Sequence, residues 1–156
     1  MTRVEVEFDR RMMELALEQA RLAGVHGEIP VGAVVTRDNQ VIGKGYNLTR
    51  RMQDVTLHAE IAAMRQAAYR LGHWYMNDCS VYVTVEPCTQ CAGSLLLARM
   101  GRLVYGAAEP KFGACGSVNN LVEDSRLNHQ VLVVRGVLET ECSELMKTFF
   151  NDLRAP

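Results

Sequence analysis

Two short motifs constrain this chain more than any other feature: His58-Ala59-Glu60, and further along Pro87-Cys88-Thr89-Gln90-Cys91. Together they supply one imidazole, one carboxylate and two thiols. A hydrolytic zinc site needs three protein ligands, a fourth position left to water and a group that carries protons. The motifs contain residue types for all of these roles, so we expect the chain to fold in a way that brings them together.

The ligand set predicted from these motifs is His58, Cys88 and Cys91, with Glu60 as the proton carrier. A C-x-x-C pair alone is weak evidence, because structural zinc sites and redox motifs also contain it. An upstream H-x-E, with a proline directly before the first cysteine, matches the signature of zinc deaminases, which use a zinc-bound hydroxide. The alternative is a structural zinc, which needs a fourth protein ligand. None of the other histidines and cysteines that could serve as a fourth ligand has the spacing of a ligand. They are His26, His73, His129, Cys79, Cys115 and Cys142.

Helix geometry supports this grouping. Cys88 and Cys91 are three residues apart, so they share one face of an opening helical turn. His58 and Glu60 lie about 200° apart around a helix, but side chains lean toward the helix N-terminus. From the first turn, both side chains can therefore reach one point just off the N-terminal end of the helix. We expect two helix N-termini to meet at one metal, where their partial positive charge favours thiolates.

The hydrophobic pattern predicts an α/β fold, a three-layer α/β/α sandwich with a central five-stranded mixed sheet. Asp9 is the expected N-cap of a first helix that Gly24 ends. A second helix opens at the metal histidine, with an apolar stripe, and Gly72 closes it. The predicted helices are 9–23, 57–71, 92–100 (with Gly101 as C-cap), 118–122 and 139–153. The last has Leu145, Phe149 and Leu153 on one face, and the apolar stripe of the second is Leu57, Ile61, Met64, Ala68 and Leu71. The predicted strands are 29–35, 41–45, 80–85, 103–105 and 131–134, and the turn residues 37–40 predict a hairpin between the first two.

Composition limits the broad class of protein. The chain has 156 residues, 48% hydrophobic and 22% charged, which predicts one domain over residues 1–156. Its net charge of -1 provides no global basic field, so any RNA binding must be local. Three of the five cysteines remain once two are assigned to metal, which argues against a disulfide framework. No signal peptide or membrane-spanning stretch is evident, so we expect a cytoplasmic protein without a membrane partner.

Other blocks of sequence are more specific than the metal motifs, and they extend over nearly the full chain. They are GEIPVGAVV, GKGYN, HAE, EPCTQCAG, GAAEPKFGACGS, LNH and LMKTFFNDLR. With these blocks the chain resembles the bacterial tRNA adenosine deaminases of the TadA type, in the cytidine and deoxycytidylate deaminase superfamily.

The resemblance implies a cytidine-deaminase-like fold, a homodimer, one zinc ion per subunit and hydrolytic conversion of adenosine to inosine at the wobble position of a tRNA anticodon. The expected partner is the anticodon stem-loop, and no DNA is expected. Asn47 matches the family asparagine that contacts the flipped base, and Ala59 presents its backbone N–H to that base. The family regions that meet RNA correspond to Glu109, Lys111, Phe150 and Arg154.

The chain departs from the family pattern at three positions. The stretch before HAE is commonly D-P-T-A, whereas this chain has Asp54-Val55-Thr56-Leu57, and Glu109 replaces the aspartate of the loop. These changes leave the metal chemistry intact and affect the fit of the substrate. Two other functions stay open at this point. One is a free nucleobase or nucleoside deaminase for guanine, cytosine or adenine, and the other is a non-catalytic, zinc-stabilised RNA-binding protein.

Overall fold

A computed structural model describes residues 1–155, which form one five-stranded sheet covered by helices. The elements in chain order are α1 (Arg3–Val25), β1 (Gly32–Arg37), β2 (Gln40–Tyr46), α2 (Thr49–Met52), α3 (Ala59–Leu71), β3 (Cys79–Val85), α4 (Thr89–Leu97), β4 (Arg102–Ala107), β5 (Leu132–Arg135) and α5 (Glu139–Arg154). None of the helices within the described residues is long and apolar enough to cross a membrane.

The sheet is mixed, as predicted, with the strand order β2-β1-β3-β4-β5. Strand β1 runs antiparallel to both β2 and β3, whereas β3, β4 and β5 are parallel to one another. The predicted hairpin joins β1 to β2 through Asp38 and Asn39, which both have left-handed φ angles, 50° and 60°. Two left-handed residues match the strand twist of a tight hairpin, and Asp and Asn tolerate that conformation.

Alternate strand residues face two separate cores, which makes the protein three layers thick. Val34, Tyr82 and Val104 point to one face and pack with α1 and α5. Ala33 and Val83 point to the opposite face, where α3 and α4 cover them. Burial on both faces explains why these strands are rich in valine, and the predicted three-layer α/β/α sandwich is confirmed.

Helix α3 lies unusually close to β2. A Cβ added at Gly43 would lie 2.2 Å from the carbonyl oxygen of Ala63, and one at Gly45 would lie 2.5 Å from its nitrogen. The helix turns a face of small residues, including Ala59 and Ala67, toward this strand. The predicted stripe of larger residues is therefore only partly correct: Leu57 and Met64 are buried, but the centre of the buried face is alanine.

The start of α1 differs from the prediction. Thr2 caps the helix through a capping box with Glu5, two turns before the expected start. Asp9 is inside the helix and only 2% exposed, because it pairs with Arg102 across the domain. Gly24 is helical, and the chain turns only after it, at His26 and Gly27.

Three further boundaries also differ. Helix α4 ends at Leu97 rather than Met100, because Arg99 adopts a left-handed φ of 55°. Residues 118–122 form no helix, since the carbonyl of Gly113 accepts the amides of residues 118 and 119 and folds the chain back. In α5, Leu145 packs on the core, but Leu153 is 62% exposed, so the predicted apolar face stops short of the helix end.

Candidate metal and substrate site

The predicted ligands stand at the first residues of two helices. His58 is the N-cap of α3, and Cys88 is the N-cap of α4, which begins just after β3 ends. Both residues have extended backbones, and neither side chain makes a capping hydrogen bond. Their donor atoms are therefore available for another partner. The expectation that two helix N-termini meet at one place is confirmed.

The donor atoms have the spacing that a tetrahedral metal needs. His58 Nδ1 lies 3.5 Å from Cys88 Sγ and 3.4 Å from Cys91 Sγ. Zinc bonds of ordinary length at tetrahedral angles place a nitrogen and a sulfur ligand about 3.6 Å apart. Within the described residues this is the one group of three or more such side chains close enough to share an ion. The residues present therefore fit a metal, with no fourth protein ligand.

The two thiols have opposite electrostatic characters. The hydrogen bond from Cys91 lowers the pKa of Cys88 to about 3, and His58 adds to this effect. The pKa of Cys91 is raised because it donates to Cys88 and is buried. The hydrogen bond with Cys88 also raises the pKa of His58. Without an ion, the thiolate of Cys88 is stabilised by hydrogen bonds from Cys91 and His58. A bound cation would stabilise the same negative charge.

Glu60 lies beside this cluster and is only 3% exposed. Burial raises the pKa of its carboxyl group, and its own backbone amide, His58 and Cys91 partly offset this effect. A raised pKa makes the protonated form of this carboxyl group more accessible than that of an exposed glutamate. The position of Glu60 in the first turn of α3 explains how residues 58 and 60 reach the same point despite their angular separation.

A cavity of about 670 Å³ opens over the cluster. Its size is within the ordinary range for small-molecule sites. It is lined by Ile29, Val31, Asn47, His58, Ala59, Glu60, Val85, Glu86, Cys88, Glu109, Pro110, Lys111, Phe112, Met146, Phe150 and Arg154. All predicted site residues line it except Cys91, which is fully buried beneath it.

Asn47 follows β2 and is held in place at the cavity wall. Its backbone amide donates to the carbonyl of Val31, and its side-chain oxygen accepts from the amide of Thr49 at 3.3 Å. The next two amides, of Arg50 and Arg51, donate to the fully buried carboxylate of Glu28 at 3.0 and 2.7 Å. The asparagine is therefore part of a rigid turn.

The opposite wall combines a loop and the end of α5. In the loop, the carboxylate of Glu109 accepts the amide of Lys111 at 2.9 Å. Met146, Phe150 and Arg154 project from successive turns of α5 onto the same cavity. The spacing of four residues places these three side chains on one helix face.

Sequence reasoning assigned no role to several residues that line the cavity. They are Ile29, Val31, Val85, Glu86, Pro110, Phe112 and Met146. Most of them are in the sequence blocks quoted above. Met146 is four residues before Phe150, and this spacing predicts that the two side chains share one face of a helix. Glu86 is the clearest omission: burial raises its pKa, but hydrogen bonds from Ser117, Glu109 and Cys115 outweigh burial and lower it.

Comparison with known proteins gives consistent results. A family model described as MafB19-like deaminase matches residues 8–154. The tRNA-specific adenosine deaminase of Haemophilus influenzae is 46% identical over 97% of this chain and 88% of its own length. The enzyme of the same name from Bacillus subtilis is 40% identical over 94% of this chain and 91% of its own length.

A solved structure supports the same relationship. It comes from biochemical and structural studies of A-to-I editing by tRNA:A34 deaminases at the wobble position of transfer RNA, and it shares 44% identity and a TM-score of 0.83. The alignment covers 86% of this chain and 98% of the other. The family model and the curated relatives match nearly the whole length of the chain, and the geometry of the site agrees with them. The chain therefore belongs to the family of tRNA-specific adenosine deaminases.

Proposed function

We propose that this protein hydrolyses adenosine to inosine at the wobble position of a tRNA anticodon. The observation that carries the proposal is the buried carboxylate of Glu60 beside a His/Cys/Cys cluster that has no fourth protein ligand, at the base of an open cavity. Relatives of 40–46% identity carry the name tRNA-specific adenosine deaminase. The reaction consumes one water molecule and releases ammonia.

We assign one zinc ion per subunit to His58, Cys88 and Cys91. The spacing of their donor atoms and the thiolate character of Cys88 support the assignment. When bound, zinc lowers the pKa of a water ligand to about 7 and so supplies a nucleophile at neutral pH.

Glu60 is assigned as the proton carrier. Its carboxylate takes a proton from the attacking water and delivers one to the exocyclic nitrogen of adenine, which leaves as ammonia. Burial supports this role, because desolvation disfavours the ionised carboxylate and so makes it a better proton acceptor. A positioned acid and base of this kind contributes roughly 100- to 10,000-fold to the rate.

Asn47 and Ala59 are assigned to the base. The amide side chain of Asn47 lies at the cavity wall, where it is 6% exposed. The backbone N–H of Ala59 is at the first position of α3, where amides have no partner within the helix. These groups would orient the purine ring so that its amino carbon faces the metal.

The remaining residues of the cavity rim are assigned to RNA. Lys111 and Arg154 supply positive charge for phosphates, Phe150 an aromatic surface for stacking, and Glu109 an acceptor that shapes the loop. Sequence-specific proteins usually read unstacked bases in RNA loops, as in an anticodon stem-loop. We expect RNA rather than DNA as the partner.

The protein is proposed to be a single-domain cytoplasmic homodimer. All described strands belong to one sheet, in keeping with one domain over residues 1–156. Large apolar side chains remain exposed in the monomer, among them Val55, Leu97 and Phe112. Light scattering of the purified protein would give twice the chain mass of 17.4 kDa for a dimer.

The test is inosine formation, measured by mass spectrometry, in a panel of adenosine-containing anticodon stem-loops. Free adenosine, adenine, cytosine and guanine are run beside them, with Glu60→Ala as the control. Inosine at the wobble base that disappears in the control supports the proposal. Turnover of a free base or nucleoside without RNA turnover would replace it with a nucleobase or nucleoside deaminase. RNA binding without any turnover would indicate a non-catalytic, zinc-stabilised protein.

A further inference from the structure

Glu86 is a buried carboxylate directly before the Pro87-Cys88 turn, and it is 3% exposed. It accepts the backbone amides of Glu109, Cys115 and Ser117 at 3.0, 3.0 and 3.1 Å. The hydroxyl of Ser117 donates to it as well. Four donors from one segment, residues 109–117, thus converge on one side chain.

This segment, which we call the rim loop, supplies part of the cavity wall, including Lys111 and Phe112. Glu86 binds its first residue and two of its last three, so the carboxylate closes the loop at both ends. The loop also rests on the metal turn itself, because the amide of Ala114 donates to the carbonyl of Pro87 at 2.9 Å. One side chain therefore connects the ligand turn to the rim.

The middle of the rim loop is fitted closely against the same carboxylate. A Cβ added at Gly113 would lie 2.3 Å from Glu86 Oε2 and 2.5 Å from the carbonyl oxygen of Glu109. A contact this short forces the carboxylate or the backbone to shift. The close approach explains why this position is a glycine. A larger residue at 113 would displace the carboxylate of Glu86 without any change to Glu86 itself.

The carboxylate is difficult to replace, because an ionised carboxyl group only accepts hydrogen bonds. An amide of the same shape would turn an N–H group toward donors of the loop and leave at least one of them unpaired. Hydrogen bonds to a charged group are stronger than those between neutral groups, so the loss of even one matters.

We propose that Glu86 is a positioning residue for substrate, which sets the rim loop at a fixed distance from the metal turn. It acts through Lys111 and Phe112 and touches neither the reacting atoms nor the metal. Loss of the carboxylate releases the loop and weakens RNA binding, while the ligands and Glu60 keep their places. This inference rests on the proposed function, since it names a determinant of substrate binding in the same cavity.

The experiment compares Glu86→Gln with wild type on an adenosine-containing anticodon stem-loop. We expect KM to rise by at least about tenfold, equivalent to 1.4 kcal/mol of binding, with kcat changed less than about threefold. Bound zinc, measured by mass spectrometry of the metal, stays at the wild-type ratio. Gly113→Ala should raise KM in the same way without a change of charge. Ser117→Ala, which removes one donor of four, should have a smaller effect in the same direction.

Glu14→Gln is the matched control, because it makes the same chemical change on the exposed face of α1. A lower melting temperature for Glu86→Gln with unchanged KM would overturn the proposal and leave Glu86 a purely structural role. Absence of inosine from the wild-type enzyme would instead contradict the proposed function. In that case amide hydrogen exchange at residues 111–113 still tests the inference: unchanged exchange in Glu86→Gln contradicts positioning of the loop, and faster exchange supports it.

Discussion

Asp9 and Arg102 form an ion pair that joins the first helix to the sheet, and its carboxylate is buried. The guanidinium donates two hydrogen bonds to the carboxylate, at 2.6 and 2.7 Å, and the hydroxyl of Tyr82 donates a third at 2.9 Å. The carboxylate of Asp9 is only 2% exposed and the guanidinium of Arg102 is 20% exposed, so the buried carboxylate depends on Arg102 for its counterion. A charge left alone in such a place has neither water nor a counterion.

We predict that Arg102→Leu lowers the free energy of unfolding by about 3 kcal/mol or more, because Asp9 remains buried without its counterion. The double variant Asp9→Leu with Arg102→Leu should recover much of the loss, since no charge is then buried. Denaturation in urea, followed by circular dichroism, gives both values. Additive losses in the double variant would contradict this explanation.

At the scale of elements, the close packing of α3 against β2 positions the N-terminal end of the helix, which carries His58 and Glu60. A Cβ at Gly45 would lie 2.7 Å from the carbonyl oxygen of Ala59, in the first turn of α3 and next to His58. We predict that Gly45→Ala lowers the free energy of unfolding by about 1 to 3 kcal/mol, the usual range for overpacking. It should also weaken zinc binding, because the helix N-terminus moves with its ligand.

Gly93→Ala is the control for this prediction. Gly93 is inside α4, and a Cβ there meets nothing within 4 Å. Alanine in a helix is favoured over glycine by roughly 0.5 to 1 kcal/mol, so this variant should be neutral or more stable. Equal effects of the two substitutions on thermal denaturation would count against the packing argument.

The contact between β5 and the loop that precedes it depends on pH. Glu123 pairs with Arg135 of β5, and the hydrogen bond from Arg135 lowers the pKa of Glu123 below its usual 4.5. A carboxyl group whose pKa is lowered by folding stabilises the protein above its unfolded pKa. That stability is lost as the pH falls from about 4.5 through the lowered value.

We predict that wild type loses more stability than Glu123→Gln as the pH falls through this window, because the amide cannot be protonated there. Arg135→Gln should show the same flatter profile, since it removes the cause of the shift. Unfolding in urea at a series of pH values measures the slopes. Both side chains are about 40% exposed, so the difference should be small and should shrink in high salt.

At the scale of the whole molecule, the group of His58, Cys88 and Cys91 brings together two helices that start from different parts of the sheet. His58 begins α3, which follows β2 and the short helix α2, and Cys88 begins α4, which follows β3. An ion shared between them binds only the folded chain. Such binding stabilises by about 2.7 kcal/mol when the free ion is at 100 times its dissociation constant.

We therefore predict that removal of metal by a chelator lowers the melting temperature, and that added zinc restores it. Cys88→Ser and Cys91→Ala should show little response to zinc, because each lacks a thiolate ligand. Calorimetry with and without zinc provides the readout, independently of activity. Stoichiometric zinc retained by either variant would refute the ligand assignment.

The sequence alone determined the class of fold, the hairpin and the grouping of His58, Cys88 and Cys91. These depend on local information: alternation of valines, two turn residues with left-handed conformations, and ligands fixed to helix starts by their spacing. The helix that His58 opens and Gly72 closes is another local feature, and the structure has it as predicted.

Only the tertiary structure decided how residues distant in sequence share a role. Asp9 is a residue type that favours the N-cap position, but in the structure it lies inside the helix and forms an ion pair with Arg102. Residues 118–122 have apolar members, but hydrogen bonds to Gly113 fold them back instead of into a helix. Glu86 gains its contacts from a loop that comes more than twenty residues later. Such pairings arise when elements pack, and no short window of sequence contains both partners.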